Sequence, residues 1–495
     1  MDMLALLGHG FALALAPKYL LFCLLGVLLG QVIGVLPGIG PSAAISVLLP
    51  LTFGGDPIAS TIMFAGIYYG AQYGGTITSV LVRIPGESST VMTSLDGYEM
   101  ARQGRAGQAL GIAAIGSFIA GTLGTIGLTL AAPALARGAL AFGPPEYFAL
   151  VVMGLSALAI VGGSLLKGLI MGVLGLSLAT VGVDPQVGNT RFTFGQLWLL
   201  DGVEFLVLAV AFFGIGEVLA QAERRSPPPE IEAKIRNAYP SWADWVACRG
   251  AILRGTAIGY VIGVLPGAGA TIASFLAYAI EKKVSKTPER FGKGAIEAVA
   301  APESANNAAA AGAMVPMFAL GIPGSGTTAI MLGALIMYGL RPGPALFEQN
   351  PDFVWAIIAS MYVGNVLLLI MNLPLVGIFA WLLRVPYAIL YPIILALCIA
   401  GVYSQANSLS DLWLMCGFGV MGYFMKKYDF PAAPLVLGLV LEPMLENALR
   451  QSMTLSHGGL GIFVTRPISL ALLLVTAAIL LAPLAARLRR LGVRP

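Results

Sequence analysis

Two short stretches combine a helix break with a cluster of hydroxyl side chains, an arrangement suited to binding a small anion. They are RIPGESST at 83–90 and GIPGSGTT at 321–328. Proline removes a backbone donor and glycine loosens the chain, so each stretch predicts a broken helix whose second part begins at the hydroxyls. Free N–H groups and hydroxyls at a helix start bind carboxylates. The predicted substrate-binding residues of the two breaks are Pro85, Gly86, Ser88, Ser89, Thr90, Gly324, Ser325, Thr327 and Thr328. The alternative is that these hydroxyls only satisfy the backbone of kinked helices.

Arg83 stands immediately before the first break, within an apolar part of the chain. A buried cation in a membrane helix is costly unless it is paired, so it marks a functional site. We therefore predict that Arg83 contributes to binding an anionic substrate. A salt bridge to Glu87 is the alternative.

A second polar group precedes the second break. Glu303, Asn306 and Asn307 are spaced three and four residues apart in EAVAAPESANNAAAAGA, which places them on one face of a helix of small residues. They could line a substrate cavity, and Asn306 and Asn307 are predicted substrate-binding residues. Hydrogen bonding between helices is the alternative.

The pentapeptide GVLPG occurs twice, at 34–38 and 263–267, each time inside a long apolar segment. Carbonyl groups released at such breaks can coordinate sodium. The predicted ion-binding glycines are Gly34, Gly38, Gly40, Gly263, Gly267 and Gly269. Apart from sodium, no metal or other cofactor is expected. Glu87 and Glu303 keep proton coupling open as an alternative, since a titratable carboxylate can carry a proton.

The composition predicts an all-α polytopic membrane protein. Of 495 residues, 58% are hydrophobic and only 11% are charged, and mean hydropathy is +0.86. Runs of about 20 apolar residues, each long enough to cross a bilayer, recur along the chain. The net charge of +4 is small and its basic residues lie in loops, which argues against nucleic-acid binding. The scattered cysteines and two histidines indicate neither a disulfide framework nor a zinc site.

The repeated motifs divide the chain into two membrane repeats, 1–222 and 251–495, joined by a basic cytoplasmic linker at 223–250. Basic residues flank the second GVLPG segment on both sides, and short basic loops are cytoplasmic. Tracing the loops back puts both ends of the first GVLPG segment outside. Each segment is therefore predicted to be a re-entrant hairpin, and the two repeats have inverted topology. Residues 1–17 are expected to be retained rather than cleaved as a signal peptide.

Long stretches of the sequence resemble the large membrane subunit of tripartite tricarboxylate transporters, the TctA family. The resemblance is carried by GVLPGIGP, by GVLPGAGAT, by YYGAQYGGTITSVLVRIPGESSTVMTSLDGYEMARQGRAGQALG at 68–111, and by PESANNAAAAGAMVPMFALGIPGSGTTAIMLGAL. It extends to APLVLGLVLEPMLENALRQS at 433–452 and TRPISL at 465–470. Arg83 departs from the pattern, because an Asn often stands there in the family.

The resemblance implies a multi-pass carrier in the bacterial inner membrane that imports di- or tricarboxylates by alternating access. It also implies two partners, a small four-helix membrane subunit and a periplasmic substrate-binding protein, and coupling to a sodium or proton gradient. A stand-alone anion carrier or channel is the first alternative. A membrane enzyme is the weakest alternative, because the sequence has no GxSxG or HExxH motif and no evident Ser/His pair.

Overall fold

The computed structural model describes residues 3–36, 40–161, 164–184, 187–224, 238–267, 269–382 and 387–490. These residues are mostly helical, with one antiparallel pair of short strands, β1 (Gly182–Val183) and β2 (Thr190–Arg191). The helices of the first half are α1 (Met3–Ala14), α2 (Pro17–Val35), α3 (Pro41–Thr52), α4 (Pro57–Val82), α5 (Val91–Arg102), α6 (Ala106–Ala139), α7 (Pro144–Val161), α8 (Leu165–Ala179), α9 (Phe205–Ala209) and α10 (Gly216–Arg224). A 3-10 turn at Ser88–Thr90 precedes α5, and a π-helical segment at Val210–Ile215 joins α9 to α10.

The second half begins with α11 and contains twelve helices among its described residues. Its helices are α11 (Trp242–Val264), α12 (Gly269–Val284), α13 (Glu297–Leu320), α14 (Gly326–Met337), α15 (Pro344–Gln349), α16 (Pro351–Asn372), α17 (Val376–Leu382), α18 (Tyr387–Ala406), α19 (Leu409–Lys427), α20 (Ala432–Leu455), α21 (Ile462–Thr465) and α22 (Pro467–Arg490).

Five segments among the described residues are long and apolar enough to cross a membrane. They are Pro17–Val35, Ala106–Ala139, Phe205–Glu223, Pro351–Asn372 and Ala432–Leu455. This confirms the prediction of an all-α polytopic membrane protein. Within the predicted linker at 223–250, Ser241 and Asp244 form a capping box that starts α11 at Trp242. Linker residues 225–237 lie outside the described ranges.

Both GVLPG segments are broken helices whose two arms fold back on each other. In the first, α2 ends at Val35 and α3 begins at Pro41, and Lys18 Nζ lies 2.6 Å from Asp56 Oδ2, so the outer ends of the two arms meet. In the second, α11 and α12 are joined far from their turn by Arg254, whose Nη2 lies 2.6 Å from Glu281 Oε1. Each segment is therefore a helical hairpin.

Each hairpin packs its first arm along the helix that follows it through a ladder of glycines. Gly26, Gly30 and Gly34 of α2 face the backbone of α4, and a Cβ atom at Gly30 would stand 2.8 Å from Ile67 Cα. Gly255, Gly259 and Gly263 of α11 face the backbone of α13, where a Cβ atom at Gly259 would stand 2.6 Å from Ala305 Cα. In each pair, successively later glycines of the first helix contact successively later residues of the second, so the two helices run parallel.

Helices α4 and α13 form the interior. All side chains from Ala298 to Leu320 are buried in α13, and those from Ala59 to Leu81 are buried in α4. Helix α6 packs along α13 and also contacts α4 and α5, so it connects the two halves. Each interior helix ends at one of the two predicted breaks.

Candidate functional site

The first break reverses the chain at the end of α4. Arg83 adopts a left-handed conformation with φ 57°, and the chain then turns back alongside the helix it has just left. A Cβ atom on Gly86 would lie 2.7 Å from Thr78 Oγ1 and 2.8 Å from Gly75 Cα. Only glycine fits there. The chain then resumes in the same direction as α4, through the turn at Ser88–Thr90 into α5.

The second break has the same layout at the end of α13. Gly321 is left-handed with φ 71°, and a Cβ atom on Gly324 would lie 2.6 Å from Ala313 Cα. Helix α14 then starts at Gly326. Its cap is Ser325, whose Oγ accepts from the Thr328 N–H at 3.2 Å, while Thr328 Oγ1 accepts from the Ser325 N–H at 2.8 Å.

The second arm of each hairpin reaches the break of the other half. Ser42, at the start of α3, has its Oγ 3.0 Å from Thr327 Oγ1 in the second break. Thr271, at the start of α12, has its Oγ1 2.8 Å from Ser88 Oγ in the first break. Tyr68 of α4 adds a third contact, its hydroxyl lying 3.0 Å from Ser325 Oγ. The two halves thus meet through hydroxyl groups at their broken helices.

The two helix starts differ in charge. At the first break, the Glu87 carboxylate accepts from the Ser88 N–H and, at 3.2 Å, from the Ser88 hydroxyl. The chain's own carboxyl group therefore caps this turn. At the second break the capping groups, Ser325 and Thr328, are neutral. A helix N-terminus favours negative charge, and the side chains that cap α14 supply none.

Several predicted residues are engaged in contacts within one half. Ser89 is buried and donates to Gln72 Oε1, and buried Thr90 accepts from Ser79 at 2.9 Å. These two side chains therefore hold the first break onto α4. Pro85 is partly buried.

Arg83 is not buried, so the premise of that prediction is wrong. The left-handed backbone at the end of α4 turns its side chain to an exposed position, where the guanidinium lies 5.6 Å from the centre of the Tyr98 ring. The alternative, a salt bridge to Glu87, does not occur, since Glu87 instead caps the turn at Ser88. The role of Arg83 in substrate binding stays a prediction.

Glu303, Asn306 and Asn307 do lie together, and they are joined to the first half. Glu303 Oε2 lies 2.6 Å from Thr76 Oγ1 and 3.3 Å from Asn306 Nδ2, and its other carboxyl oxygen contacts Thr93 Oγ1. Asn307 Nδ2 lies 2.8 Å from Ser117 Oγ. A cavity of about 10 Å³ beside Asn307 has room for about one water molecule. In this conformation the group forms a closed hydrogen-bonded junction.

The predicted ion-binding glycines fall into two kinds. Gly34 and Gly263 are helical and are the last members of the two glycine ladders. Gly40 stands before α3 with open space around it, and Gly267 and Gly269 adopt positive φ values of 80° and 64° in the second hairpin turn. Gly38 lies outside the described residues.

Asp96 was missed at the sequence level, although it connects the halves. Its buried carboxylate accepts from the backbone N–H groups of Gly292, Gly294 and Ala295 and from the Tyr278 hydroxyl, each at 2.9 Å. The glycines of FGKGA were the available signal, because Gly292 and Gly294 both adopt positive φ and form a turn with convergent N–H groups.

Amide pairs in the helices were also missed. Gln31 and Asn372 exchange two hydrogen bonds of 2.8 and 3.0 Å, and Asn365 Oδ1 accepts from Tyr73 at 2.9 Å. Single amides within apolar runs are the signal that could have identified them. They attach α16 to α2 and α4 of the first half.

Buried broken helices that meet across two halves define a class of protein, the polytopic membrane transporters. The chain belongs to the tripartite tricarboxylate transporter TctA family, whose family model matches residues 20–437. This confirms the family indicated by the sequence motifs.

Two relatives from Agrobacterium vitis are similar to this chain. One, described as an uncharacterized 52.8 kDa protein in the TAR-I ttuC' 3' region, is 47% identical over 479 residues, covering 97% of this chain and 95% of the relative. The other, an uncharacterized protein in the TAR-II ttuC' 3' region, is 46% identical over 215 residues, covering 43% of this chain and 89% of the relative. No solved structure matches.

Proposed function

We propose that this chain is the carrier subunit of a secondary-active system that imports a small di- or tricarboxylate across the bacterial inner membrane. The observation that carries the proposal is the start of α14, where neutral Ser325 and Thr328 cap a helix N-terminus beside Ser42 and Tyr68 of the other half. A carboxylate bound there would contact both halves at once. Movement of the halves would then expose it to one side or the other.

Alternating access is supported by the paired arrangement of the two halves. Each half has a helical hairpin, a glycine ladder and a broken helix in the same order, which fits two repeats of inverted topology with re-entrant hairpins. The halves share a hydrophobic core in which α6 packs along α13, but at the breaks themselves they meet through hydroxyl groups. Such contacts can be exchanged for contacts with substrate or water at modest cost.

The coupling ion is proposed to be sodium, bound by backbone carbonyls at the hairpin turns. Gly267 and Gly269 have positive φ, which directs carbonyls away from the regular helical path, and the space around Gly40 is open. Oxygen ligands suit a hard cation. A proton remains the alternative coupling ion.

The family supports a tripartite system with other subunits. We propose that these are a small four-helix membrane subunit and a periplasmic binding protein that delivers the carboxylate. The chain then performs transport and no catalysis.

The proposal is tested by uptake of labelled di- and tricarboxylates into cells that produce this chain with both partners. We expect uptake that requires the binding protein and is lost in Thr327→Val, which keeps the side-chain shape but removes the hydroxyl. Thr454→Val is the matched control, because Thr454 is exposed on α20. Uptake that persists without the binding protein would instead indicate a stand-alone carrier or channel.

A separate measurement identifies the ion. Vesicles containing the complete system are given an imposed sodium gradient or an imposed proton gradient at constant membrane potential. Uptake driven only by the proton gradient would contradict sodium coupling at the hairpin turns.

A further inference from the structure

Glu303 is the only carboxylate among the described residues of α13 beyond its first turn, and it lies where the two halves join. Its side chain is fully buried. One carboxylate oxygen lies 2.6 Å from Thr76 Oγ1 of α4, and the other contacts Thr93 Oγ1 of α5. Both oxygens of a second-half residue therefore contact first-half helices.

No charged side chain balances Glu303 within the described part of the chain. Helix α4 faces it with Thr76 and the titratable but neutral Tyr73, and α5 faces it with Thr93. From α6, the Ser117 hydroxyl bonds to the Glu303 backbone carbonyl at 3.2 Å, and α11 faces α13 with its glycine ladder. Removing an ion from water without a counter-charge costs several kcal/mol. The carboxyl group therefore needs either a metal cation or a proton.

The surroundings of Glu303 favour the proton over a metal cation. Among the described residues, no group of three or more His, Cys, Asp or Glu side chains could hold a metal ion. The separation of 2.6 Å between Glu303 Oε2 and Thr76 Oγ1 is that of a direct hydrogen bond.

The number of hydrogen atoms around the Thr76 hydroxyl bears on the protonation of Glu303. It has one hydrogen but lies near two acceptors, Glu303 Oε2 at 2.6 Å and the Gln72 carbonyl at 3.2 Å. If Glu303 carries a proton on Oε2 and donates it to Thr76, the Thr76 hydrogen is free for Gln72, and both contacts are hydrogen bonds. Thr93 then donates to Oε1, the carbonyl oxygen of the acid, and Asn306 Nδ2 donates at 3.3 Å to a lone pair of the Oε2 hydroxyl oxygen.

We infer that Glu303 is a proton-binding site that is loaded while the halves are joined through Thr76 and Thr93. When those two helices move away, water reaches the acid, which becomes a carboxylate as its proton passes to water. Release of the proton depends on the proposed function, because it requires the two halves to move apart. The protonation of Glu303 in the joined state does not depend on it. Glu303 adds a titratable group to the coupling chemistry, separate from the hairpin turns.

Infrared spectroscopy of the purified full-length chain in lipid vesicles tests the inference directly. A protonated carboxyl group gives a C=O stretching band that a carboxylate lacks. We expect this band at neutral pH in the wild type and its loss in Glu303→Gln. The matched control is Glu281→Gln, because the buried Glu281 carboxylate is paired with Arg254 and contributes no such band.

A second variant keeps the acid in place. Thr93→Val removes the donor to the carbonyl oxygen of Glu303, so the band should persist and shift to higher frequency. A wild type without the band, a band unchanged in Glu303→Gln, or an unshifted band in Thr93→Val would each overturn the inference. The spectra require no transport, so failure of carboxylate uptake would count against the proposed function and leave this result standing.

Discussion

The hydroxyl oxygens of Ser42 and Thr327 lie 3.0 Å apart although 285 residues separate them in the sequence. The contact joins the first hairpin to the break that starts α14. Thr271 and Ser88 form the corresponding contact in the other direction, at 2.8 Å. Each half therefore closes on the broken helix of the other, and both contacts are hydroxyl pairs.

Linking the first of these pairs should stop transport. Cysteines at Ser42 and Thr327 are close enough to form a disulfide, and the bond would fix the hairpin to the break. We expect carboxylate uptake to be lost on oxidation and restored by a reductant. The single variants Ser42→Cys and Thr327→Cys serve as controls for the effect of oxidation. Exposed Cys416 is replaced by Ser in all of them. Uptake unaffected by a complete cross-link would show that the halves do not separate here.

A glycine at the first break and an exposed glycine should respond differently to alanine. Gly86→Ala forces a methyl group against Thr78 and Gly75, and such overpacking costs about 1–3 kcal/mol. We expect reduced thermal stability and loss of uptake. Gly417→Ala is the control, because Gly417 is exposed on α19 and no atom stands within 4 Å of the added carbon. Equal stability of the two variants would contradict the tight reversal at the first break.

Asp96 should stabilise the joined halves. Asp96→Asn leaves one amide oxygen where a carboxylate accepted from three backbone groups and Tyr278, and hydrogen bonds to charged groups contribute about 1.5–3 kcal/mol. We expect a free energy of unfolding lower by about that amount, measured by thermal unfolding of the purified protein. Asp352→Asn is the matched surface control, since Asp352 is 64% exposed beside His9. An equal effect of both changes would rule out a special role for Asp96.

The two hairpins are predicted to open to opposite sides of the membrane. Phe53 follows the first hairpin and Lys286 follows the second, and both are exposed. In intact cells, Phe53→Cys should react with an impermeant thiol reagent and Lys286→Cys should be protected. Both variants carry Cys416→Ser. Labelling of both positions from outside would contradict the inverted topology, and lysed cells provide the control for reactivity.

The breaks and the hairpins were predictable because proline and glycine punctuate helices locally. GVLPG and IPG stand at the positions where α2, α4, α11 and α13 end. The grouping of Glu303 with Asn306 and Asn307 also followed from helical spacing alone. What each group touches across the junction is a matter of tertiary packing, and spacing contains no information about it.

Arg83 shows where reasoning from sequence failed. An arginine inside an apolar run implies a buried cation only if the helix continues, but the helix ends at Val82 and the left-handed residue turns outward. Asp96 shows the opposite error, because a carboxylate in the polar stretch LDGYEMAR reads as a surface residue. The backbone N–H groups that bind its carboxylate come from a loop almost two hundred residues later in the chain. The glycine ladders were not predicted, although each is encoded by a GxxxGxxxG pattern that ends at the first glycine of a GVLPG motif.

Those ladders also bear on the order in which the molecule is built. Gly26, Gly30 and Gly34 pair with the next long helix of the chain, and Gly255, Gly259 and Gly263 do the same in the second half. Both contacts can form as soon as the neighbouring segment has entered the membrane. The bond between Thr76 and Glu303 spans 227 residues and must wait for the second half to be synthesised. Each ladder contact can therefore form before the polar junction between the halves does.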